Sequence, residues 1–218
     1  MCRFWHRCVG SLPSGVRLIL FVMAAAYIAA WAGRILNAYD LPRWLALNPA
    51  AFGVGRILTV ATYVLVPAGP MDLIFNLLLI GWLGPCLESR WSRWELWTYC
   101  LLTAVAGGAA KLLLAHFDPT RLIGAMPMVC GLLVAWMRLR GHERAQAWLL
   151  GQTTVLRMGL VMLAAWTIFL WLNAGLISAV IVLAAALGGW LYLALRWRLN
   201  REPPGHPVES QRMRRLEL

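Results

Sequence analysis

The sequence predicts an all-α polytopic membrane protein, six transmembrane helices with an interfacial first loop. Three observations predict it. Of the 218 residues, 61% are hydrophobic and 13% charged, about half the ~25% charged share of soluble domains, and the mean hydropathy is +0.67. The apolar residues gather in runs close to the ~20 residues a helix needs to cross hydrocarbon. The 20 basic residues fall between those runs with a strong side-to-side bias, as in polytopic proteins. Soluble globular, collagenous, disordered and disulfide-framework chains are excluded by the same composition.

The elements follow in order. Residues 1–14 form a cytoplasmic segment, 15–199 one membrane domain and 200–218 a basic cytoplasmic tail. The first span lies at about 16–33; Arg3 and Arg7 before it and Ala30-Trp31-Ala32 near its end also fit a secretory signal, and it is read here as a retained helix. Residues 34–67 hold Leu41-Pro42, Asn48-Pro49 and a semi-apolar stretch, expected to lie in the outer interface as short amphipathic helices. Spans at 68–87 and 94–115 are joined by the short connection from Cys86 to Trp94, which makes them antiparallel neighbours. A fourth span is expected at 122–138. Residues 139–155, opening on Gly141-His142-Glu143-Arg144, are expected as a small inner interfacial helix. The last spans, 156–173 and 174–196, meet at Asn173-Ala174-Gly175. Beyond them Pro203, Pro204, Gly205 and Pro207 break any core-forming pattern, and Arg212, Arg214 and Arg215 are expected to meet anionic lipid headgroups or a partner.

A cytoplasmic amino terminus puts fifteen of the 20 basic residues inside and leaves Arg34, Arg43, Arg56, Lys111 and Arg121 outside. The positive-inside rule then expects both termini in the cytoplasm, as in a bacterial inner membrane. The net charge of +11 is thereby a topology signal, and nucleic acid is not expected as a partner. Trp31, Trp44, Trp166 and Trp171 near outer span ends, and Trp82, Trp91, Trp94, Trp97, Trp136 and Trp197 near inner ones, read as interfacial belts. Cys2, Cys8, Cys86, Cys100 and Cys130 fall in inner segments or spans, where structural disulfides are not expected.

Polar groups inside the membrane are the candidates for function, because an unpaired ionisable group there is costly. Asp72 and Asn76, four apart, share one face of the second span. They read either as a polar pair bonding a loop or water, or as a recognition point for a polar residue of another helix. Glu88 is expected to pair with Arg90 and Arg93 at the inner end, and Lys111 to snorkel outward. His6, His116, His142 and His206 all fall in loops or tails, so neither a metal site nor a cofactor is expected.

Several of these pieces, in this order, resemble the rhomboid intramembrane protease family over roughly residues 15–199. They are Arg56-Ile57-Leu58-Thr59 in the long first loop, Asp72-Leu73-Ile74-Phe75-Asn76 in the second span and Leu83-Gly84-Pro85-Cys86-Leu87-Glu88 at its end. Gly107-Gly108 in the third span, Gly124-Ala125-Met126-Pro127 at the head of the fourth and Ala185-Ala186-Leu187-Gly188-Gly189 in the sixth complete the set.

The same resemblance implies that the chemistry is gone. Active members carry Gly-x-Ser-Gly where this chain has Gly124-Ala125-Met126-Pro127, so Met126 stands at the nucleophile position, and a thioether cannot attack a carbonyl. The family histidine aligns with Ala186, which removes the base. His-Leu-x-x-Asn becomes Asp72-Leu73-x-x-Asn76, a supporting tyrosine becomes Cys130, and the glycine after the serine becomes Pro127. Cys130 in hydrocarbon, without a cationic neighbour, holds too little thiolate to substitute. The resemblance therefore implies a catalytically inactive scaffold or accessory subunit that binds transmembrane helices of other proteins. The alternative from the residues alone is an intramembrane enzyme of unrecognised mechanism, or a small transporter with Asp72 as its ion site.

Overall fold

The structure is a computed structural model and describes residues 12–36, 44–51, 53, 56–147 and 151–200. Helix α1, Ser14–Ile35, is a run of Leu, Ile, Val, Ala and aromatic residues unbroken by proline. Helix α2, Pro70–Glu88, begins with a proline in its first turn, where the missing N–H has no partner to lose. Helix α3, Arg93–Leu113, is started by Ser92, whose side chain accepts from the Glu95 N–H at 3.2 Å, the spacing of a capping box. Helix α4, Met126–Arg140, also has its proline in the first turn. Thr154 caps α5, Val155–Ala174, by accepting from the Arg157 N–H at 3.4 Å. Gly175, at φ 86°, then reverses the chain into α6, Leu176–Asn200, in a single residue that a side chain would strain.

Five of these helices are long and apolar enough to cross a membrane: α1, α2, α3, α5 and α6. The chain is accordingly an integral membrane protein. The expected fourth span is the exception. Helix α4 has 15 residues, of which twelve are buried, and it packs against α2, α3, α5 and α6. Its neighbours come close through small residues, as in other membrane bundles. Gly131 of α4 faces the Thr103 side chain of α3, and Gly189 of α6 faces Tyr99 and Thr103. The Tyr99 hydroxyl donates to the Gly131 carbonyl at 2.7 Å, so α3, α4 and α6 lock together around one phenol.

Several expectations are corrected. Among the described residues of 139–155 there is no separate interfacial helix. The end of α4 is followed by an antiparallel hairpin, β1 Arg144–Ala147 and β2 Gly151–Thr154, with Arg144 opposite Thr154 and Ala147 opposite Gly151. The alternation of polar and small residues in 144–147 and the paired threonines at the end of β2 suit a strand better than a helix face. Trp136 and Trp91 belong to the core instead of a belt: Trp136 is 1% exposed and packs on Trp82, while Trp91 meets Tyr99 edge-on and lies under the Arg196 guanidinium. Glu88 does not pair with Arg90 or Arg93. Its two oxygens accept the backbone N–H groups of Gly15 and Val16, each at 2.8 Å, because the start of α1 offers unpaired donors and a positive dipole end. Arg90 instead reaches Glu143 and the Leu139 carbonyl, 3.3 and 3.2 Å away.

Lys111 does not snorkel either. It is 2% exposed, and its Nζ donates to Asp118 Oδ2 at 2.5 Å and to Thr120 Oγ1 at 3.2 Å. The lysine thus turns inward because the α3–α4 connection supplies both acceptors. The first loop is partly helical, with turns at Pro49–Ala51, Thr59–Thr62 and Tyr63–Leu65. It is anchored by fully buried Leu47 and Tyr63, and the Tyr63 hydroxyl donates to the Ala104 carbonyl of α3 at 2.9 Å. The tail with Arg212, Arg214 and Arg215 lies outside the described residues.

Candidate functional site

At the start of α2, Asp72 Oδ2 accepts the Ala68 N–H at 2.9 Å and Oδ1 accepts the Asn76 side-chain amide at 3.0 Å. The four-residue spacing makes this pair, as the sequence leads one to expect. Asn76 is fully buried and its Oδ1 has no hydrogen-bond partner. The connection into α4 passes directly over the pair. It is held by Leu47 and Leu122, which exchange backbone hydrogen bonds at 3.1 and 2.8 Å, and by the Gly124 N–H, which donates to the Tyr63 carbonyl at 3.3 Å. Gly124 has φ 104°, and a Cβ there would lie 3.3 Å from Asp72 Oδ2. Glycine is therefore required twice at this point, for the backbone and for the approach of the carboxylate.

The same connection is fastened by the Lys111–Asp118 pair. Asp118 lies outside the helices, and hydrogen bonds from Lys111 and then Thr120 hold its carboxyl down at about 2, below the usual aspartate range.

Helices α2, α4 and α5 line a half-open cavity of about 400 Å³ whose walls include Phe75, Leu79, Met126, Cys130, Met162 and Trp166. Phe75 of α2 and Trp166 of α5 stack across it, ring centroids 4.8 Å apart and 21° from parallel. The residues singled out from the sequence are thus distributed over several surfaces. Asp72, Asn76 and Gly124 come together; Met126 and Cys130 line the cavity. Pro127 turns away and packs where a Cβ on Gly107 of α3 would be. Ala186 is buried on α6 in the core and is not one of the cavity's walls. The sequence reading missed Phe75, Met162 and Trp166 as site residues. Nothing in one sequence pairs a ring on the second span with a ring on the fifth.

Chemically the walls offer thioethers, a thiol and rings, and helix α2 also carries one carboxylate and one amide. Among the described residues no group of three His, Cys, Asp or Glu side chains is placed to hold a metal ion. The fold and site together define a helical integral membrane protein with an apolar cavity between three helices and a polar pair on one of them.

The chain belongs to the rhomboid family, whose domain model, described as Rhomboid domain, matches residues 54–199. That stretch takes in the end of the first loop, all of α2 to α5, and α6 up to its penultimate residue. No curated protein matches the chain significantly.

Proposed function

We propose that this chain is a proteolytically inactive rhomboid-family protein that binds transmembrane helices of other membrane proteins, as a client-binding scaffold or an accessory subunit. The observation that carries the reading is the pair Met126 and Ala186 at the positions the family resemblance gives to nucleophile and base. Neither side chain takes up or gives a proton, so the acyl-transfer chemistry of a serine–histidine pair has no starting point. The apolar cavity beside Met126 supports the binding half of the reading, since such pockets take apolar guests positioned by a few polar groups. The basic asymmetry supports a bacterial inner membrane with both termini cytoplasmic, where Arg212, Arg214 and Arg215 attract anionic headgroups.

Reconstituted protein, incubated with rhomboid-type transmembrane substrates and a fluorophosphonate probe, is expected to give neither cleavage nor labelling. Met126→Ser is expected to remain inactive, because Ala186 supplies no base and Pro127 has no N–H to offer a developing oxyanion. Robust labelling of the unaltered protein would overturn the inactive reading. Client binding has a separate test in affinity purification from gentle detergent. Asp72→Leu removes the acceptor of the buried Asn76 amide, so it is expected to cost about 1–2 kcal/mol of stability. It should also reduce the yield of co-purified membrane protein at equal bait. If the yield is unchanged for both Asp72→Leu and Asn76→Leu, the polar pair is not part of the binding site.

A further inference from the structure

We propose that the gap between α1, α3 and the first loop holds one anionic phospholipid, with an acyl chain in the gap and the phosphate on Arg93. The site shares no wall residue with the cavity between α2, α4 and α5 and does not rest on the client-binding proposal. Its half-open cavity, about 250 Å³, has as walls Ile19 and Met23 of α1, Trp97 and Ala104 of α3, and Ala61 and Leu65 of the first loop. The Thr62 hydroxyl in the wall is committed to the Leu45 carbonyl at 3.4 Å, so the surface left for a guest is apolar. Apolar cavities of ~150 Å³ already stay dry and take hydrocarbon guests. Leu101 lines this cavity and is 55% exposed, so the opening runs past it to the lipid side of the bundle.

Depth and charge select the occupant. Glu88 at the end of α2 binds the start of α1, and only Ser89 to Ser92 separate α2 from α3, so α1 and α3 start at the same membrane surface. Counted from those starts at 1.5 Å per residue, Ile19 and Met23 lie about 8 and 14 Å in, and Trp97 and Ala104 about 6 and 16 Å in. The cavity therefore fits within one leaflet, about half of the ~30 Å of hydrocarbon. The first loop stops it there: the Tyr63 hydroxyl bonds the Ala104 carbonyl, and Val60 abuts Gly108. A transmembrane helix would need the full depth; an acyl chain needs this much. Arg93 stands at the surface end of the same stripe of α3, four residues before Trp97 and eleven before Ala104. It is exposed, its guanidinium lies over the Trp94 ring at 5.4 Å, and among the described residues it has no carboxylate partner. A guanidinium at the head of an apolar groove complements a phosphate with a chain attached.

The test uses the full chain in liposomes with a trace of phosphatidylglycerol or phosphatidylcholine that carries a diazirine midway along one acyl chain. Adducts on the peptides around Ile19–Met23 and Trp97–Leu101 are measured relative to those on α5, which lies outside the site, so that general attraction of anionic lipid cancels. The unaltered protein is expected to give about fivefold more relative labelling with phosphatidylglycerol than with phosphatidylcholine. Arg93→Gln should remove that preference and leave labelling of the cavity by both lipids. Ala61→Phe, which fills the cavity from the loop side, should reduce cavity labelling by both. Equal relative labelling by the two lipids in the unaltered protein overturns the anionic assignment, and this comparison decides even if a variant does not fold. Cavity labelling no greater than that of α5, or a photoreactive residue at Leu101 that captures a polypeptide in place of lipid, overturns the acyl-chain site.

Discussion

Asp118→Ala is expected to lower the stability of the folded protein by about 3 kcal/mol, whereas Lys111→Met should cost less than about 1 kcal/mol. The asymmetry comes from burial. Lys111 is 2% exposed and Asp118 is its ion-pair partner at 2.5 Å. Deleting the carboxylate strands an ammonium in the interior; deleting the lysine leaves Asp118, which is partly exposed, within reach of water. Acid should act in the same direction as the first variant. The Asp118 carboxyl is held at about 2 in the folded protein and has an ordinary value near 3.9 when unfolded. Its contribution is therefore complete above about pH 4 and is lost as the pH falls through about 2. Thermal unfolding in detergent between pH 2 and pH 7 checks both points. Equal losses for Asp118→Ala and Lys111→Met would contradict the buried-cation account.

Glu88→Ala is expected to destabilise by about 2–3 kcal/mol, and Glu88→Gln by roughly half that. The carboxylate accepts two backbone donors at the start of α1, both at 2.8 Å, with the helix dipole adding to each. Glutamine keeps one oxygen and loses the charge. The loss should appear locally: a cysteine placed on the inward face of α1, at Val16, would become reactive toward a membrane-permeant maleimide in Glu88→Ala before the rest of the bundle opens. A double-mutant cycle between Glu88 and Arg93 should give a coupling near zero, which the sequence-based expectation of an ion pair there would not.

The difference between those two expectations shows where one sequence is readable and where it is not. Spans were legible because hydropathy and length are properties of a segment by itself; α2, Pro70–Glu88, and α3, Arg93–Leu113, sit within two residues of the expected limits at every end. The Asp72–Asn76 bond was legible because a four-residue spacing on a helix is also local. Glu88, Lys111 and Trp166 were not. Each has near neighbours in sequence that offer a plausible role, and each takes its role from an element far along the chain or from a loop whose path no periodicity encodes. The hairpin 144–154 failed for a different reason: its strands are four residues each, too short for an alternation to outweigh a helical reading. At the candidate site the sequence supplied the substituted positions of the family motif, while the cavity and its stacked rings exist only once α2 and α5 are side by side.

Helix α4 has a consequence for how the protein is made. A machinery that admits segments to the bilayer one at a time, by length and apolarity, meets in α4 about 22 Å of helix where hydrocarbon asks for ~30 Å. The helix also ends in Arg138 and Arg140. Its twelve buried residues have the side chains of α2, α3, α5 and α6 for surroundings, and these stand in for lipid. The burial of α4 thus depends on its neighbours, and it is expected to be complete only when α5 and α6 have been synthesised and have packed against it. A truncation after Gly175 would keep every helix that lines the cavity and remove α6, against which α4 packs; the wall that carries Met126 and Cys130 is expected to lose its backing.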